Sequence, residues 1–152
     1  MAGKGVFTPE EWATMQRAIV GAPLLVAVCD GGTADLRKEL QAIAERLADA
    51  RAGHGSELVH ELADIRDAHT GFNGRMRAAE VEGPALEALR AATAAVATRA
   101  PDELDSFRAF VLDLAKAAAA AARSGPFALT GPRVSEAEAA AVDRIRAAIE
   151  VS

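Results

Sequence analysis

The side chains able to do chemistry gather in two short stretches. Asp30, Asp35 and Glu39 place three carboxylates within ten residues, the first in an Asp30-Gly31-Gly32-Thr33 turn and the other two one helical turn apart. Hard divalent cations take oxygen ligands of this kind. An EF-hand loop would need an acid at its twelfth position, where this chain has Gln41, so that arrangement is excluded. A glycine turn before a helix can also cradle an anion on free backbone N–H groups, but Asp30 and Asp35 on either side would repel one. The ordinary reading, a turn that links two helices, is the expected one, and Asp30, Asp35 and Glu39 stand beside it as candidate metal ligands.

The second stretch is His60-Glu61-Leu62-Ala63-Asp64. It matches the zinc-protease pattern His-Glu-x-x-His at two positions and lacks the essential second histidine. His60 and Asp64 still stand at i and i+4, close enough on a helix to share a metal. However, Glu57, His60, Glu61, Asp64 and Asp67 all fall opposite Leu58, Leu62 and Ile65, which is how a solvated face looks, and that is the expectation. His69 continues the apolar stripe, so it is expected as a helix-end histidine satisfied by a backbone carbonyl. Cys29 is the sole cysteine. A helix C-terminus and apolar surroundings both disfavour its thiolate, so it is expected to be structural and not a nucleophile. The chain contains no nucleophile elbow, Walker loop or dinucleotide fingerprint. No catalytic residues are assigned, the protein is not expected to be an enzyme, and the expected cofactor is none or a divalent cation.

The elements that must position these residues read as helices. Thr8 is an N-cap, Pro9 takes the first helical position, and Glu11 completes a capping box, with Phe7 and Trp12 spaced as a hydrophobic staple. Gly21-Ala22-Pro23 is expected to break or kink this helix before an apolar, central segment over Leu24 to Cys29. After Thr33, the stripe Leu36, Leu40, Ile43 and Leu47 predicts a second helix. Gly53 and Gly55 flank His54 in the next turn, and Ser56 caps a helix that Thr70-Gly71 should stop. A short helix is expected around Met76 to Val81, and Pro84 should open another that ends before Pro101. From about Asp102 to Arg123, the residues Leu104, Phe107, Val111, Leu114, Ala118 and Ala121 keep a 3, 4 alternation. Ser135 with Glu138 makes a second capping box, and Val142, Ile145 and Ile149 are the expected buried face of the last helix. With no alternating strand pattern, linker or repeat, the expectation is one all-α domain over residues 1–152, a compact bundle of six to seven helices.

Composition narrows the functional classes. Of 152 residues, 51% are hydrophobic, and 38 are alanine, which forms helix well but buries little. The net charge of −5 is spread along the chain without a basic patch, and there is no tyrosine, so a nucleic-acid partner is not expected. The longest apolar run, Ala18 to Cys29, is too short for a membrane span, and the lone cysteine suits a reducing, cytoplasmic setting. Ala117 to Ala122 leaves one helix half almost bare, either a close-packed contact or a surface for a partner.

Three stretches carry a resemblance: Thr8-Pro9-Glu10-Glu11-Trp12; Ala22-Pro23-Leu24-Leu25-Val26 leading to Asp30-Gly31-Gly32 and Lys38-Glu39; and Ser124-Gly125-Pro126-Phe127 through Arg133-Val134-Ser135-Glu136-Ala137-Glu138. Together they resemble an uncharacterised family of small all-helical bacterial proteins. More distantly, the acid-glycine turn with Glu39 early in the next helix, and the Ser-x-x-Glu start of the last helix, resemble the TerB-like tellurite-resistance fold. That resemblance implies a helical bundle whose acids bind a divalent metal, working in stress-response or membrane-associated complexes. Gly32-Thr33-Ala34 stands where further acids would be expected, so it carries over only to Asp30 and Glu39. The leading functional expectation is a non-enzymatic bacterial module acting through protein–protein contacts, with a partner protein or by self-association. The alternative is a TerB-like divalent-metal-binding protein using the acidic turn.

Overall fold

Thr8 opens the first helix, α1 (Pro9–Val28), through the capping box: its hydroxyl accepts from the Glu11 backbone N–H at 3.1 Å, and the Glu11 carboxylate accepts from the Thr8 N–H at 2.8 Å. Phe7 and Trp12 are both buried with ring centroids 5.9 Å apart, so the staple forms. The computed structural model describes residues 4–29, 36–52, 56–64, 71–72, 76–121 and 136–150. After α1 come α2 (Leu36–Ala52), α3 (Glu57–Leu62), α4 (Ala78–Arg99), α5 (Leu104–Ala121) and α6 (Glu136–Ile149), with 3₁₀ turns at Lys4–Val6 and Pro101–Glu103. The architecture is a compact all-α fold, and the described residues include no strand.

Two expectations of a helix boundary at proline are corrected. α1 does not stop at Gly21-Ala22-Pro23 but runs through to Val28. Proline at position 23 removes only the hydrogen bond that would reach the Ile19 carbonyl, and every residue from Gly21 to Val28 is buried. Packing on several sides keeps the segment helical where local propensity would end it. Likewise, Pro84 does not open a helix: the expected short helix near Val81 and the one after Pro84 are a single element, α4. Val81, Ala85, Ala88, Leu89, Ala92, Thr93 and Val96 continue one buried face across the proline.

A third correction concerns α2. Leu40 was expected in its apolar stripe but is 38% exposed. The buried line runs Glu39, Ile43, Leu47, so Glu39 occupies the inward position expected for Leu40 and is only 4% exposed.

α1 lies at the centre, packing most extensively against α4 and then α5, with further contacts to α2 and α6; α5 in turn lies against α2 and α6. One continuous hydrophobic cluster joins residues from all six helices, with Phe107, Met15, Ile19, Leu25, Leu58, Leu89, Leu114 and Ile145 fully enclosed. Gly21 marks the closest approach in this core: a Cβ there would stand 2.9 Å from the Ala85 Cβ and 2.9 Å from Phe72 Cε2. Polar ties fix the outer helices. The Ser56 hydroxyl, the N-cap of α3, accepts from the Val59 N–H at 3.1 Å and donates to the Glu103 carboxylate. Glu61 accepts from the Lys4 backbone N–H at 2.6 Å, which holds the other end of α3. Arg108 of α5 donates to the Ile149 carbonyl at 2.7 Å, satisfying one orphan acceptor at the end of α6.

Candidate functional site

The alanine half of α5 divides between core and surface. Ala117, Ala118 and Ala119 are buried, Ala120 is exposed, Ala121 is half-buried, and Ala122 lies outside the described residues. Exposed Asp113, Lys116 and Ala120, with buried Ala117 at their edge, follow the i, i+3, i+4, i+7 spacing of one helix face. On α6 the residues Ala139, Val142, Asp143 and Arg146 repeat the same spacing, and the two faces form the walls of a groove of about 470 Å³. Its floor is methyl groups, so the backbones of α5 and α6 lie shallow beneath it. Side chains this short leave room for another helix to approach closely.

Charge is confined to the rim. Arg46 of α2 pairs with Asp113 at 3.4 Å, and Arg146 pairs with Asp143 at 3.4 Å. These side chains are roughly half exposed or more, a setting in which an ion pair contributes about 0–1 kcal/mol. Lys116 is the fifth charged residue of the groove and has no carboxylate partner among the described residues. The groove is therefore an apolar slot with a rim of three cations and two anions on a chain whose net charge is −5.

A second groove, of about 620 Å³, lies between the start of α1 and the end of α4. Two of its three charges, Glu11 and Arg99, already serve the fold. Arg99 bridges to Glu11 at 3.2 Å, and the Thr14 hydroxyl donates to the Glu10 carbonyl at 2.9 Å. The Glu11 carboxyl is held below the usual carboxylate range, first by the Thr8 backbone N–H and then by the nearby Arg99 charge, against an opposing effect of desolvation. This is the chemistry of a helix cap.

The residues singled out for metal chemistry separate. Asp30 and Asp35 lie outside the described residues, as do Thr33, His54 and His69. Glu39 is buried on α2. His60 is exposed in the last turn of α3, and Asp64 is exposed beyond the Ala63 cap, with its backbone N–H bonded to the Glu61 carbonyl at 3.2 Å. α3 ends at Leu62, so helical spacing no longer relates His60 to Asp64. Among the described residues, no three His, Cys, Asp or Glu side chains converge as a metal site would require. Cys29 is half-buried at the end of α1, and its thiol donates to the Val26 carbonyl at 3.1 Å.

Two features escaped the sequence reading. Glu138, expected to form a capping box with Ser135, is only 3% exposed, and Ser135 lies outside the described residues. The groove was missed because it belongs to two helices at once; its only sequence signal was the alanine run of α5 beside Ala139 and Val142 of α6. No helix among the described residues is long and apolar enough to cross a membrane. Comparison of the chain with protein-family models, curated proteins and solved structures finds no match.

Proposed function

We propose that the protein is a non-enzymatic helical module that works through protein–protein contacts, with the α5/α6 groove as its contact surface. The supporting observation is the groove itself: an apolar floor of Ala117, Ala120, Ala139 and Val142 inside a charged rim. Interfaces combine a desolvated apolar centre with a polar rim, and this surface has that anatomy. The context we attach to it, from the TerB-like resemblance, is a bacterial stress response in the cytoplasm. Immobilised full-length protein should capture a partner from a native extract of its source, and Ala120→Glu, which places a charge on the groove floor, should lose that partner. Recovery of nothing by the wild type, together with a monomer at every concentration in analytical ultracentrifugation, overturns the reading.

The rival reading is a divalent-cation protein using Asp30, Asp35 and Glu39. Its basis is the acid-glycine turn and the TerB-like resemblance, with Glu39 the buried member of the three. Calorimetry with Ca²⁺, Mg²⁺, Mn²⁺ and Zn²⁺ decides: no heat above background ends it, and binding abolished by Asp30→Asn supports it.

A further inference from the structure

The groove has a complement on the same molecule. Around α6, Glu138, Ala141, Ile145, Ala148 and Ile149 are buried. Arg144 on one side reaches Glu82 of α4 at 2.6 Å, and Val142 and Arg146 on the other side face the groove. The stripe left between them is Glu136, Ala140, Asp143, Ala147 and Glu150, at 4, 3, 4, 3 spacing and exposed throughout. It is a narrow ridge of small side chains with Glu136 and Glu150 at its ends and Asp143, paired with Arg146, on the edge it shares with the groove. The groove is a shallow methyl floor whose rim carries Arg46, Lys116 and Arg146 against Asp113 and Asp143, one positive charge in excess.

We propose that the protein pairs with a second copy of itself, the α6 ridge of each copy seating in the α5/α6 groove of the other about a twofold axis. This rests on the reading of the groove as a protein-contact surface and names its occupant. A twofold contact uses one self-complementary patch twice, and here ridge and groove adjoin on the same helix. Alanine on both sides lets the helices approach at the short end of the usual interaxial range. The charges also fit. Arg46 and Arg146 hold their acids in exposed pairs that exchange partners at little cost, and Lys116 stands ready for a carboxylate. A basic helix would meet three rim cations against two rim anions and is the poorer occupant.

Sedimentation of the full-length protein from micromolar to near-millimolar concentration tests this. The wild type should show a monomer–dimer equilibrium that weakens with salt. Ala140→Arg on the ridge and Lys116→Glu on the rim should each raise the dissociation constant by about tenfold or more while leaving the circular dichroism and thermal midpoint of the monomer unchanged. A wild type that stays monomeric throughout the range overturns the proposal, as does a dimer indifferent to both substitutions. A monomer that still captures another protein, and loses it with Ala120→Glu, removes the second copy while retaining the protein-contact reading.

Discussion

Gly21 owes its identity to a neighbour and not to its own backbone. It sits inside α1, where alanine would ordinarily be better by up to about 1 kcal/mol. A Cβ at this point would meet the Ala85 Cβ and the Phe72 ring at 2.9 Å, closer than real contacts allow. Overpacking of this kind costs about 1–3 kcal/mol, so Gly21→Ala should be net destabilising, read as a lower urea midpoint with an unchanged slope. Glu11 offers a pH test. Its folded pKa is lowered, chiefly by the Thr8 N–H, so its contribution to stability is present above the usual carboxylate range and disappears as pH falls through the folded value. Wild type should therefore exceed Glu11→Gln in stability at neutral pH, with the difference shrinking towards nothing in acid; a gap that stays constant on acidification contradicts this origin. The Glu11 cap was legible in the sequence because a capping box is a local pattern. The burial of Glu39 was not, since adjacent Leu40 offered a better apolar stripe and only tertiary packing decides which of the two turns inward.

The helices differ in how far they depend on their neighbours. α3 has only six residues, too few to be stable alone, and is held by the Ser56–Glu103 contact at one end and the Lys4–Glu61 contact at the other. Ser56→Ala removes both the cap and the tie to Glu103. It should cost about 1 kcal/mol and increase amide exchange over residues 57–63, while the amides of α1 and α4 keep their protection. Equal loss of protection everywhere would show that α3 opens only with the whole molecule. Helix existence was readable from caps and 3, 4 stripes for α1, α2, α5 and α6. The continuity of α1 through Pro23 and of α4 through Pro84 was not, because the proline rule is local and the burial that overrides it comes from other helices.

Across the whole molecule, packing outweighs charge. The bridges joining helices, such as Arg144 to Glu82 and Arg99 to Glu11, lie partly in solvent. Glu82→Gln should therefore change stability by less than about 1 kcal/mol. Phe107 is fully enclosed, and Phe107→Ala should cost about 3–5 kcal/mol, a large part of the 5–15 typical of a domain. Thermal unfolding of the two variants side by side checks the contrast; equal shifts would mean that the ion pairs matter more than their exposure allows. The all-helical architecture was legible because alanine-rich stripes have few other ways to bury a face. The groove was not, because a sequence shows one helix at a time and a groove needs two.

The central place of α1 also bears on the order in which the chain is made. α1 is synthesised before the four helices that pack against it, and the two that cover it most, α4 and α5, begin at Ala78 and Leu104. While the ribosome is still adding α2 and α3, the Leu24–Val28 segment has little to pack against. Until the C-terminal half is made, that apolar segment lacks the helices that cover it most, a transient exposure of the kind that favours aggregation.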